Sequence, residues 1–416
     1  MLRLIIHQAF MKTIKFSLII LFLLIFSVCD AQRKAVFIIV DGISADVIEK
    51  LETPVLREIA KQGGYARAYV GGEKGGYSQS PTISAVGYNH LLTGTWTNKH
   101  NVWDNDIKAP NYHYWNIFRI VENANPQLKT AIFSSWTDNR TKLAGEGLPE
   151  AGNLKLDYAF DGFELDEKKF PHTEDRKFML AIDEHVAAEA GRYIASNGPD
   201  LSWVYLEFTD DMGHMYGDGP EYYDAIKKAD AQVGKVWNAI KERAQKYGEQ
   251  WMIVITTDHG RDAKTGKGHG GQTDRERTTW ITTNVKDLNQ RFRQNLAVTD
   301  IMPSILRFMN IAIQEATAAE VDGVPFIGQV SVSNLKAKRE GDNLTLTWNV
   351  IDPKGKAEVL LSVTNNFKEG KTDRYISLGQ TEVSKGKHVV NVSQYKSAFY
   401  KIRLKAPANE VNTWVK

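Results

Sequence analysis

Four nearly uninterrupted apolar runs set the limits on this chain: residues 35–40 (AVFIIV), 130–133, 203–208 and 252–256. They lack the strict polar alternation of a strand with one wet face. Such strands are covered on both sides, as in a largely parallel sheet flanked by helices. Helical signals lie between them. Thr53 and Pro54 form an N-cap and first-turn pair, and Gly63-Gly64 closes that helix. Tyr222, Ile226, Ala229, Val233, Val236, Trp237 and Ile240 recur at three- and four-residue steps and predict a second helix. Asp300 is expected to cap a last one, with Pro303 in its first turn and Asn310 near its end. An α/β domain with a mostly parallel sheet is therefore expected over residues 32–329.

The texture changes after Gly328. Leu344, Leu346 and Trp348 alternate with polar residues. So do Val359, Leu361 and Val363, then Val389, Val390 and Val392, then Tyr400, Ile402 and Leu404. Polar turns separate the runs. Residues 330–416 thus read as a small β-sandwich, similar to fibronectin type III domains, with Trp348 as a core anchor.

At the other end, Lys12 and Lys15 precede an apolar run over residues 16–28, and Cys29 and Ala31 supply small residues for a cleavage. Residues 1–31 read as a signal peptide, and the run is short for a membrane span. Cys29 is the single cysteine, so a mature chain has no disulfide and no thiolate ligand. A secreted or periplasmic location is expected. The formal net charge of +2 leaves no basic surplus for nucleic acid.

Three of the four strand candidates end in the same way. The first runs into Asp41-Gly42, the third reaches Asp210 after Thr209, and the fourth reaches Asp258-His259-Gly260 after Thr257. In an open α/β sheet, ligands bind beyond the carboxyl ends of the strands. One such Asp is commonly only a turn or helix cap. Three with histidines attached point to a metal site. Asp210 and His214 stand four apart, with Gly213 permitting a bend between them. Asp258 and His259 are adjacent, and His269 lies in a glycine-rich loop. Oxygen and nitrogen donors without thiolate suit zinc, and manganese less well. Ser84, between Pro81 and Gly94, is placed as the N-cap of a helix, where the dipole and free amides favour an alkoxide or a phosphate. His90, His100, His113, His172 and His185 lack such partners and read as structural or surface residues.

This ordered set resembles the alkaline phosphatase superfamily, most closely its type I phosphodiesterase and nucleotide pyrophosphatase branch. The branch has a strand ending in Asp-Gly, a nucleophile ten residues before the Gly of a Thr-Gly pair, an Asp-Asn pair, then Asp-x-x-Gly-His, Asp-His-Gly and a last His. Here these fall on Asp41, Ser84, Asp104-Asn105, Asp210 and His214, Asp258 and His259, and His269. The resemblance implies a three-layer α/β sandwich and two divalent cations, with zinc the expected ion. One cation would be held by Asp210, His214 and His269, the other by Asp41, Asp258, His259 and Ser84. It also implies Asn105 as a phosphoryl ligand and a phosphoseryl intermediate formed from a small phosphorylated substrate. Ala85-Val86-Gly87 replaces the usual Phe-Pro-Asn after the nucleophile, and His269 follows His259 by only ten residues. Thr82 is a secondary candidate nucleophile. A phosphomonoesterase on the same site and an inactive surface binding protein stay open. A sulfatase ranks lower, because Ser84 is not followed by the Pro and Arg that enzyme class needs.

Overall fold

The computed structural model describes residues 32–415, so the expected signal peptide and Cys29 lie outside the described residues. The large sheet comprises β1 (Arg33–Val40), β2 (Gly64–Tyr69), β3 (Thr130–Ser134), β4 (Tyr158–Phe160), β5 (Leu201–Leu206), β6 (Gln250–Thr256) and β7 (Thr278–Thr283), in the order β2-β7-β6-β1-β5-β3-β4. Pairings among β6, β1, β5, β3 and β4 are parallel, and only β7 runs against its neighbours. The central strand β1 is buried from Lys34 to Val40. It aligns Ile39 with Thr256 and Val40 with Leu206, so Asp41, the turn after β5 and Asp258 leave the sheet at one edge.

Alternate residues of β1 feed two cores. Val36, Ile38 and Val40 join one face, covered by α1 (Pro54–Gln62), α4 (Lys177–Asn197) and α6 (Pro220–Tyr247). Ala35, Phe37 and Ile39 join the other, covered by α2 (Ser84–Thr93), α3 (Ile117–Ala124) and α7 (Ile301–Phe308). Helices on both faces of one sheet make a mixed α/β, three-layer arrangement. Helix α5 (Phe208–Tyr216) sits at the carboxyl edge after β5. Asp300 is the N-cap residue of α7, as expected, but its side chain makes no cap bond to α7. It is buried and taken instead by Arg291 Nε (2.9 Å) and the amides of Ala297 (2.9 Å) and Val324 (2.7 Å).

The C-terminal residues form two antiparallel sheets. Three strands, β8 (Val332–Glu340), β9 (Asn343–Val350) and β12 (Lys387–Asn391), lie in the order β12-β9-β8. Four strands, β10 (Lys356–Ser362), β11 (Ile376–Glu382), β13 (Tyr400–Lys405) and β14 (Glu410–Val415), lie in the order β11-β10-β13-β14. Their shared core includes Leu344, Leu346, Trp348, Val359, Leu361, Ile402 and Leu404. The indole of Trp348 donates to Val383 O at 3.0 Å. Val389 and Val363 are exposed, because Val389 points away from the core that its neighbour Val390 enters and Val363 lies beyond the end of β10.

Buried charges tie these sheets to the α/β part. Lys401 on β13 contacts Glu320 at 2.5 Å and Asp373 at 2.7 Å, and all three side chains are almost fully buried. Lys99 binds Asp322 (2.6 Å) and Asn412 of β14 (2.8 Å), and Tyr77 stacks on Trp414. Among the described residues, no helix is long and apolar enough to cross a membrane.

Candidate metal centre

The chain positions its candidate ligands through a few local devices at the carboxyl edge. Asp41 follows β1 and is buried. Gly42, at φ +65°, turns the backbone there, and a Cβ would stand 2.3 Å from Asp210 Oδ1. Asp210 and His214 lie one turn apart on α5, so helical spacing puts both on one face. The expected bend at Gly213 is therefore corrected: the segment is helical. Gly213 is needed because a Cβ would meet the guanidinium of Arg261 at 2.4 Å. Ser84 is the first residue of α2, and Ile83 rather than Ser84 is its N-cap. Gly94 ends α2 in the left-handed region, as its residue type favours. Gly87 lets α2 lie against Asp258, whose carbonyl would be 2.7 Å from a Cβ.

These residues gather. Asp210, His214 and His269 each offer a donor atom within 4.8 Å of the others, and so do Asp41, Asp210 and His259. Asp210 thus stands in both groups. Asp258 joins through an Oδ2 that lies 3.3 Å from His259 Nε2, and Asp41 Oδ1 is 3.4 Å from the same nitrogen. Ser84 Oγ is 3.5 Å from it. Asn105 is exposed, and its Oδ1 accepts from the amide of Ala85 at 2.9 Å, which brings its side chain to the start of α2. Thr82 is occupied otherwise: its hydroxyl donates to Gly271 O and accepts from Gly270 N.

Two backbone carbonyls orient the imidazoles. His259 Nδ1 faces Gly260 O at 2.9 Å and His269 Nδ1 faces Thr82 O at 2.9 Å. Each carbonyl requires a proton on Nδ1, which leaves Nε2 as a lone pair pointing into the cluster. His269 Nε2 meets His214 Nε2 at 3.0 Å, and the rings of His259 and His269 stack at 3.7 Å.

Charge is crowded here. Burial pushes the Asp41 carboxyl well above the usual range, and the charges of Asp258 and Asp210 push it further. Burial likewise takes Asp258 up to about 7. It holds His259 and His269 below the ordinary imidazole value. Burial also works against a charge on Asp210, yet the His214 hydrogen bond and the Arg261 cation hold it far below the carboxylate range. The same hydrogen bond raises His214. Asp41 Oδ1 and Asp258 Oδ2 are buried and have no hydrogen-bond partner among the described residues. Unpaired carboxylate oxygens and lone-pair nitrogens converging in one buried cluster fit divalent cations with oxygen and nitrogen ligands.

Three supporting groups escape sequence reasoning. The hydroxyls of Tyr88 and Tyr205 both donate to Asp41 Oδ2, the latter at 2.7 Å. Tyr88 was within reach, because it lies one helical turn after Ser84. Arg261, fully buried, donates from Nη1 to Asp210 Oδ1 at 2.5 Å. Its position beside Asp258-His259-Gly260 was the only available signal.

A mostly parallel α/β sheet with a donor cluster and a helix-start hydroxyl at its carboxyl edge defines a class: α/β proteins with a candidate two-cation site. The chain belongs to the type I phosphodiesterase / nucleotide pyrophosphatase family, whose model matches residues 35–272, more than half of its length. It is similar to the human ectonucleotide pyrophosphatase/phosphodiesterase family member 5, at 24% identity over 249 residues. That match covers 56% of this chain and 46% of the relative, so it spans less than half of the relative's length. Among solved structures, it is similar to murine ectonucleotide pyrophosphatase/phosphodiesterase 5 in an inactive form with AMP, at 14% identity over 68% of this chain and 96% of that one, with a TM-score of 0.46. A putative sulfatase from Bacteroides thetaiotaomicron is also similar, at 12% identity over 83% and 85% of the two chains, with a TM-score of 0.49.

Proposed function

We propose that this chain is an exported hydrolase of phosphate esters, of the phosphodiesterase or nucleotide pyrophosphatase type, that works through a covalent phosphoseryl intermediate on Ser84. The observation that carries the reading is the convergence of the Ser84 hydroxyl, the His259 lone pair and the free oxygens of Asp41 and Asp258 beside Asp210, His214 and His269. One cation falls to Asp210, His214 and His269, the other to Asp41, Asp258, His259 and Ser84, with zinc the ion that suits these donors. When bound, the pair supplies positive charge that favours the ionised Ser84 hydroxyl and the departing ester oxygen.

Ser84 Oγ attacks phosphorus in line, forming the Oγ–P bond as the ester P–O bond breaks and its electron pair leaves on the alcohol oxygen. Water then cleaves the phosphoseryl bond and returns Ser84. The positive end of the α2 dipole favours the charge that grows on the transferring group, while the Ala85 amide itself is taken by Asn105. Asn105, whose carbonyl oxygen is taken by Ala85 N, keeps its Nδ2 donor for a phosphoryl oxygen. We assign residues 1–31 to a signal peptide, 32–329 to the catalytic unit and 330–416 to a fibronectin III-like sandwich. The three-plus-four strand arrangement supports the last, and a packing spacer is its role here.

The test compares rates on bis- and mono-nitrophenyl phosphate in protein stripped of metal and then given zinc. Activity that disappears on stripping and returns with zinc, faster on the diester, is expected. Undiminished turnover in the stripped protein would sink the reading, and a faster monoester rate would move the same site to phosphomonoesters.

A further inference from the structure

Arg261 is the largest buried cation at the site, with no measurable exposure. Each of its three side-chain nitrogens finds an acceptor. Nη1 reaches Asp210 Oδ1 at 2.5 Å and Gly42 O at 3.4 Å, Nε reaches Gly266 O at 2.6 Å, and Nη2 reaches Lys267 O at 2.8 Å. Its own amide donates to Ser44 Oγ at 3.1 Å. Two glycines clear its path. A Cβ at Gly42 would lie 2.7 Å from Nη1, and one at Gly213 would lie 2.4 Å from Cζ.

One planar group therefore spans two elements. Asp210 and His214 come from α5, while Gly266 and Lys267 belong to the loop that delivers His269. These three side chains form one of the two donor groups. A guanidinium can hold a carboxylate and two carbonyls in fixed directions, which a lysine ammonium on a flexible stem cannot do at once. Binding Oδ1 also leaves Asp210 a single oxygen, Oδ2, for His214 and for a cation.

We propose that Arg261 is a positioning residue chiefly for that cation: it clamps the α5 carboxylate to the His269 loop and so builds the Asp210–His214–His269 group, whereas the other group takes only Asp210 from the clamp. The Asp41–Asp258–His259 group stands on the Tyr88 and Tyr205 hydroxyls and the Gly42 amide. The inference rests on the two-cation reading above, and metal content separates the two. Zinc is titrated into the metal-free full chain and counted, and thermal melting confirms folding.

The unaltered protein is expected to take up two ions. Arg261→Met is expected to weaken one of them by at least ~10-fold while keeping the other. Equal affinity for both ions in Arg261→Met overturns the role of Arg261 and leaves the proposed function standing. Loss of both ions together from a folded variant overturns it as well, since that is the signature of a general structural role. An unaltered protein that binds no zinc removes the proposed function first. Should Arg261→Met fail to melt cooperatively, Arg261→Lys decides by the same criterion, with selective weakening of one ion expected and unchanged binding of both against it.

Discussion

Ser84 differs from every other hydroxyl near the cluster, because it alone combines a helix start with a 3.5 Å approach to the His259 lone pair. Ser84→Ala is expected to drop turnover on nitrophenyl esters to background while zinc content stays at the unaltered level. Retained turnover would exclude Ser84 from the chemistry. Asp41 gives a subtler prediction. Its Oδ2 receives two phenol hydroxyls, so Tyr205→Phe removes one of them. The expected costs are about 1 kcal/mol of stability and ~10-fold in the zinc dissociation constant, read by denaturation and by titration. His90 and His100 lie fully buried with their rings 5.0 Å apart. Burial brings His90 down to about 3 and His100 well below its ordinary value. Both stay neutral in the fold but take up protons once unfolded below about pH 6.5. Their contribution is thus full above that pH and declines as acid is added, by roughly 1.4 kcal/mol per pH unit for each ring. Replacing His90 by Gln should flatten this acid slope by one proton in denaturant titrations at successive pH values, and an unchanged slope would contradict it. At this scale the residues that gather at the carboxyl edge were readable from the chain, because each adjoins a strand end or a short motif. Arg261 was not, because its partner Asp210 is 51 positions away and no periodicity announces such a pair.

Among the elements, doubly buried strands were legible and half-polar ones were not. β1, β3, β5 and β6 announce themselves because cover on both faces leaves no room for alternation. β2 (GYARAY) and β7 (TTWITT) form the antiparallel edge of the sheet, and their mixed composition hides them. The long α4 carries apolar residues at its buried positions but no cap signal, since Arg176 precedes it in the left-handed region. α5 was read as a bend because a glycine inside four residues suggests one, whereas here the glycine makes room for a side chain from elsewhere. That gives the prediction for this scale. Alanine in place of Gly213 gains about 1 kcal/mol of helix propensity, yet its methyl group enters the Arg261 guanidinium. Overpacking of about 1–3 kcal/mol should win, so Gly213→Ala melts lower than the unaltered chain. A higher melting point would show that the contact relaxes without cost.

For the molecule as a whole, the seam between the α/β part and the C-terminal sheets is held by charge as well as by apolar contact. Lys401 stands between Glu320 and Asp373 with all three out of water. Removing only the lysine strands two buried carboxylates, so Lys401→Met is expected to cost about 3–5 kcal/mol in chemical denaturation. A loss within error of zero would mean that water reaches the seam. One further consequence comes from the direction of β1. The described chain enters the sheet at Arg33 and reaches Asp41 only after crossing it, a climb of roughly 26 Å at about 3.3 Å per residue. Arg33 therefore lies at the end of β1 opposite the donor cluster. An attachment made at Arg33 would hold the donor cluster on the far side of the sheet, open to whatever diffuses past.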